Sequence, residues 1–311
     1  MNLVVSPYHL TTREVPAMVA LLLAEQVVTV MPTGPGGRSE AERLAAAAPR
    51  YAKLIDSWRW SLPLWNAGVL APGFGNDHPG RDIQTAHAEI FASDAWVSLR
   101  TVLEQRQHES PDRYLESLAH DLLRGGPDPA FTVPVAAGLD RFASRHGALV
   151  SRAAPVSIAQ KLEMRMVEPM ASVVVPMILQ GRGERVLDAR EVLADELADL
   201  RNALCPSALR ADTGATDQLR EAASRYRTAF ESGQSGFEED DPTEPRVITG
   251  KVSLRVVEMS SDAALESSNR ATRTLMGRSA LRAVSSEIAA PGLTLAPGRT
   301  ISIIVRVIGS H

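Results

Sequence analysis

With 311 residues, of which 44% are apolar and 23% charged, the chain can bury one large core or two ordinary ones, and this excludes an intrinsically disordered protein. A net charge of -4 excludes whole-molecule attraction to nucleic acid or an anionic membrane, leaving room only for a local basic patch. Cys205 is the single cysteine, which excludes an internal disulfide framework and a cysteine-ligated zinc site.

The first forty residues organise the rest. Leu3-Val4-Val5 is a short β-type run, residues 15–24 carry enough apolar side chains for a buried helix, and Val27-Val28-Thr29-Val30-Met31 is a second β-type run. The order is that of a βαβ unit, whose nearly invariant right-handed crossover opens the loops after both strands on one sheet edge. Those loops are residues 6–14 and residues 32–39. Thr11 and Glu14 have capping-box spacing, but a helix beginning at Thr11 would put Pro16 where a backbone N–H is needed. A start near Glu14 or Val15 removes the conflict and leaves residues 8–13 as a loop.

Ser39 is a suitable N-cap for a helix running to about Trp60, which Pro63 stops. Residues 67–81, rich in glycine, read as a loop. Helices are expected from about 82 to 107, from Ser110 to Gly125, over 133–145 and over 158–180, the last interrupted by Pro169 and Pro176. Val173-Val174-Val175 within it fits a buried strand equally well. Leu193, Leu197, Leu200 and Leu204 form an apolar stripe on a helix over 184–204, and Leu219, Ala223, Tyr226 and Phe230 do so over 216–230.

Residues 231–245, with Glu238-Glu239-Asp240-Asp241 at their centre, read as an acidic flexible loop or linker. Beyond it Val252, Leu254 and Val256, and later Ile301, Ile303, Val305 and Val307, alternate with other side chains as in half-buried strands. A helix over 262–276 and a short strand near 283–288 lie between. The reading is α+β, predominantly helical with a small mixed sheet formed from N- and C-terminal strands. Residues 1–230 hold the βαβ unit and a helical region, and 246–311 an α/β segment that either completes the N-terminal sheet, the arrangement favoured because a two-strand unit alone is a poor sheet, or forms a separate small unit.

The candidate ligand site is composite. Gly34, Gly36 and Gly37 let backbone N–H groups approach an anion, with Arg38 beside them and Ser39 opening the next helix, while His9, Thr11, Thr12 and Arg13 add donors from the other loop. The glycines fit neither a Walker loop nor the dinucleotide spacing, and the same residues also serve as plain turns.

No metal site is assigned. His87 and Glu89 are two apart, so a helix sends them to different faces, and Asp77, His78 and Asp82 add no converging set. Asp112, Glu116 and His120 recur at four-residue spacing and read as an exposed flank. Cys205, before Pro206 and without a neighbouring histidine, reads as a buried, inert thiol.

Trp58, Trp60 and Trp65 cluster in a chain with only 5% aromatics, either as a packing anchor or as a partner-binding surface. Since no catalytic constellation passes its spacing test, the leading expectation is a non-catalytic scaffold, adaptor or regulatory subunit with a protein partner or a homo-oligomer contact. The alternative is a small-molecule or phosphate-binding enzyme using the two loops. No cofactor is assigned, and nucleic acid and membrane are not expected partners. The N-terminus lacks a signal core and the apolar windows are interrupted or short, so the expected location is cytoplasmic.

Overall fold

The computed structural model describes residues 1–29, 56–73, 85, 129–153, 169–211, 214–237, 246–260 and 299–309. In chain order its elements are β1 (Leu3–Val5), α1 (Pro7–Thr11), α2 (Val15–Leu23), β2 (Val27–Thr29), a 3-10 turn (Arg59–Ser61), α3 (Leu62–Asn66) and β3 (Leu70–Ala71). Then follow α4 (Pro129–His146), β4 (Leu149–Ala153), β5 (Pro169–Gln180), α5 (Gly183–Val192) and α6 (Ala194–Leu204). The remainder are α7 (Pro206–Ala211), α8 (Ala215–Phe237), β6 (Ile248–Ser260) and β7 (Arg299–Val307).

The strands form one seven-stranded mixed sheet in the order β3-β2-β1-β4-β7-β6-β5. The first five of these neighbours pair in parallel, with Leu3 opposite both Val27 and Leu149, and Val150 opposite Ser302. β6 runs antiparallel to β7 and to β5. This corrects the expectation of a predominantly helical chain with a small sheet: the sheet spans the whole order, and two of its strands, β4 and β5, come from the middle of the sequence. β5 falls where a helix was expected. Its Pro169 and Pro176 are tolerated because β5 is the outermost strand, where a missing N–H leaves no partner unsatisfied.

Burial explains the architecture. β1 is buried along its whole length, as a parallel strand covered on both faces must be, and its Leu-Val-Val run accordingly lacks alternation. From Pro16 to Leu23 every residue of α2 is buried, because the helix packs on the sheet with one side and against α5 with another. α4 covers the opposite face over β1, β4 and β7. The α2 layer continues through α8, whose Tyr226 hydroxyl reaches Met177 Sδ of β5 at 3.6 Å.

Local boundaries also moved. Pro63 does not stop a helix but stands in the first turn of α3. The expected helix over 184–204 is broken at Leu193, whose φ of -105° and ψ of 19° separate α5 from α6. α8 runs to Phe237, past the expected start of the linker. The acidic run 238–241, the helix over 262–276 and the strand near 283–288 lie outside the described residues. Among the described residues no helix is long and apolar enough to cross a membrane.

Candidate functional site

β1 has β2 on one side and β4 on the other, and the chain goes from β1 to β2 but reaches β4 only much later. That reversal of strand order is a topological switch point, and in open α/β sheets ligands bind outside the carboxyl ends of the strands there. The residues leaving β1 at this edge are those of the first candidate loop.

They are not a loop. Residues 7–11 form α1, a single short helix, and a turn at Thr12 and Arg13 swings the chain into α2. Arg13 makes the turn with φ of 53°, a left-handed conformation that an L side chain adopts at a cost. Glu14 closes the corner, its N–H donating to the His9 carbonyl at 2.9 Å.

The side chains divide into two groups. His9 Nδ1 donates to Glu14 Oε2 at 2.7 Å, and Thr12 Oγ1 donates to Glu14 Oε1 at 2.9 Å. The hydrogen bond from His9 chiefly holds the Glu14 carboxyl below its usual range. Engaging Nδ1 in this way orients the ring and commits the other nitrogen, Nε2, to whatever lies beyond it.

Arg13 makes the second group. Its guanidinium lies over the ring of Trp60, 4.8 Å from the centroid, and burial followed by the nearby charge of Arg182 lowers its pKa. Arg182 is the N-cap of α5 and pairs with Glu184 at 3.5 Å. Trp60 itself is only 8% exposed, and its indole N–H has no partner among the described residues.

Thr11 turns inward instead. Its hydroxyl donates to the Pro7 carbonyl at 2.8 Å and accepts from Trp58 Nε1 at 3.0 Å, so it anchors a tryptophan rather than a ligand. Trp58 is fully buried and stacks on the partly buried Trp65, with centroids 6.5 Å apart. Ser61 joins them, donating to the Trp58 carbonyl and accepting from Trp65 Nε1. The tryptophan cluster is thus the wall behind α1.

Gly34, Gly36, Gly37, Arg38 and Ser39 lie outside the described residues, as do the Asp77, His78, Asp82, His87 and Glu89 group and the Asp112, Glu116 and His120 stripe. Cys205 is partly exposed rather than buried. Burial raises its thiol pKa, but hydrogen bonds with Ser207 and the Ala208 backbone, together with the positive N-terminus, outweigh this and lower it, with Sγ and Ser207 Oγ 3.1 Å apart.

Sequence reasoning missed two contributors. Arg182 is far from Arg13 along the chain and carries no local signal. The other is a buried polar set at the end of β4, where Arg152 pairs with Asp140 of α4 and donates to Ser302 Oγ of β7 at 3.1 Å. It locks α4 to two strands beside the switch point. Ser151, pointing to the other face, donates to the Pro16 carbonyl at 2.8 Å and ties β4 to the start of α2.

Comparison with protein-family models, curated proteins and solved structures gives no match for this chain.

Proposed function

We propose that the protein is a small-molecule enzyme that holds an anionic ligand, a phosphate or carboxylate, at the carboxyl end of β1. Arg13 and Arg182 meet the anion, and His9, oriented by Glu14, is placed to exchange a proton with the rest of the ligand. The carrying observation is the Arg13 guanidinium. It is held in a costly backbone conformation on the face of Trp60, has no carboxylate partner among the described residues, and feels the positive charge of Arg182. An anion between the two would relieve their repulsion and gain charge-assisted hydrogen bonds.

The scaffold reading draws less support, since Trp58 and Trp60 are turned into the core and offer no exposed aromatic surface. A protein partner or a second copy would have to use another face. A cytoplasmic setting, with its supply of phosphorylated and carboxylated metabolites, suits the enzyme reading.

The test is a thermal-shift screen with inorganic phosphate, nucleotides, sugar phosphates and dicarboxylates, run in parallel on Arg13→Ala. A ligand at 100 times its dissociation constant adds about 2.7 kcal/mol of stability. The expected result is a shift that Arg13→Ala abolishes. No shift with any compound, or one that survives in Arg13→Ala, overturns the reading.

A further inference from the structure

A different face of the sheet carries a second anion-binding surface. Residues directly opposite in paired strands share a face, so the register assigns sides. Arg152 contacts α4 through Asp140, which places Val150 and Arg152 of β4, and their partners Ser302 and Ile304 of β7, on the α4 face. Following the register across, Arg306 lies opposite Ser253, Ile304 opposite Arg255, and Ser253 opposite Val174. Lys251, Ser253 and Arg255 of β6 therefore share this face with Arg306, and so do Ser172 and Val174 of β5.

α4 packs over β1, β4 and β7, and toward β6 and β5 the face opens. Lys251, Arg306, Ser172 and Val174 are exposed, and Arg255 and Ser253 half-buried. Arg306 sits diagonally between Lys251 and Arg255, so the three cations form one cluster with hydroxyls in its gaps. Among the described residues that β5, β6 and β7 place on this face there is no acid, and none of the three cationic side chains has an ion-pair or hydrogen-bond partner. That is unusual here, because Arg59, Arg152, Arg210, Arg220 and Arg225 all pair with carboxylates. At the rim Arg227 adds positive charge, donating to the Val174 carbonyl at 3.2 Å.

We propose that this face binds the phosphate backbone of nucleic acid without regard to sequence. Unpaired cations interspersed with serine hydroxyls are the donor set that contacts phosphates. The described part of the face carries no aromatic side chain for stacking and no helix to enter a duplex groove, so backbone contact is what it offers. Val174 alone, among these residues, is a large exposed apolar side chain, too little for membrane insertion. The overall charge of -4 keeps the binding weak and strongly salt-dependent.

The experiment is fluorescence anisotropy with a labelled oligo-dT, repeated with its duplex, with phosphatidylserine vesicles and with poly-glutamate, at 50 and 200 mM salt. Three phosphate contacts give a log-log salt slope on the order of -2 for a single strand, hence about 15- to 20-fold weaker binding across that range. The triple variant Lys251→Ala, Arg255→Ala, Arg306→Ala should lose the binding and its salt slope, whereas Arg220→Ala and Arg13→Ala should keep both. If the triple variant does not fold, the surface pair Lys251→Glu and Arg306→Glu takes its place. No binding of oligo-dT or of its duplex at 50 mM salt, binding unchanged in the patch variant, or equal or tighter binding of vesicles or poly-glutamate each overturns the proposal. Because Arg13→Ala serves as a control, failure of the small-ligand site and failure of this surface are distinguishable.

Discussion

Arg190 Nη1 donates to the Leu21 carbonyl at 2.8 Å, across 169 residues of sequence. The same nitrogen reaches the carbonyls of Leu22 and Ala24, Nη2 that of Glu25, and Arg201 Nε that of Leu23. α2 needs them. It has no basic residue in its last turn, and its C-cap Ala24 is extended, so no left-handed glycine closes the helix. Burial pushes the Arg190 pKa down to about 10, which still leaves it charged at neutral pH.

Arg190→Ala should therefore destabilise the protein by about 1.5–3 kcal/mol, the range for losing a hydrogen bond that involves a charged group. Arg190→Lys should recover only part of this, since an ammonium cannot span the same fork of acceptors. Urea denaturation midpoints measure both, and an Arg190→Ala midpoint equal to wild type would show that water caps the helix instead.

Gly183 opens α5 with a Cβ position 2.6 Å from the Trp60 carbonyl oxygen and 3.2 Å from Pro63 Cδ. Gly183→Ala sets a methyl group against the Trp60 carbonyl oxygen and should cost about 1–3 kcal/mol. It also pushes Trp60, the plate beneath Arg13, away from Arg182. Anion binding should weaken together with the melting temperature, and unchanged values of both would show that α5 moves freely at this contact.

The Thr11 hydroxyl is the acceptor for the buried indole N–H of Trp58. Thr11→Val keeps the shape and removes that acceptor, so a loss of about 1–3 kcal/mol is expected from the unsatisfied donor. Ligand binding at Arg13 should be unchanged. Loss of binding without loss of stability would reassign Thr11 from wall to site.

Asp140 is 4% exposed, and burial, only partly offset by Arg152, raises its carboxyl pKa from 3.8 to about 6. With the folded value above the unfolded one, the folded state holds the extra proton between these limits, and stability falls as pH rises from about 4 to about 6. The shift of roughly two units corresponds to about 3 kcal/mol. The stability of Asp140→Asn relative to wild type should move in the variant's favour by that amount between pH 4 and 7. A difference independent of pH would mean that Arg152 fully compensates the burial.

The local elements near the N-terminus were legible because their signals are local. The apolar runs of β1 and β2 and the all-round apolar character of α2 determine burial whatever else the chain does, and Pro16 fixes where α2 begins. The alternation of Val252, Leu254 and Val256 likewise marked a strand. β5 was not legible, since its Val-Val-Val core fits helix or strand and its prolines make sense only once it is known to be an edge. Of the candidate site, the His9–Glu14 contact joins near neighbours in sequence and could be read there, while Arg13 over Trp60, Arg182 and the Arg152–Asp140 pair come together through tertiary packing alone. The net charge hid the basic face, because a sum over the chain discards where the charges sit.

The place of β7 bears on how the protein is made. It fits between β4 and β6, pairing with both, and it leaves the ribosome after every other described strand. Until residues 299–307 emerge, β4 and β6 present two unpaired edges to solvent, one on each half of a divided sheet. The nascent chain is then most exposed to mispairing and most in need of a chaperone. A premature stop just before these residues would leave two incomplete sheets, at the cost of one strand's worth of sequence.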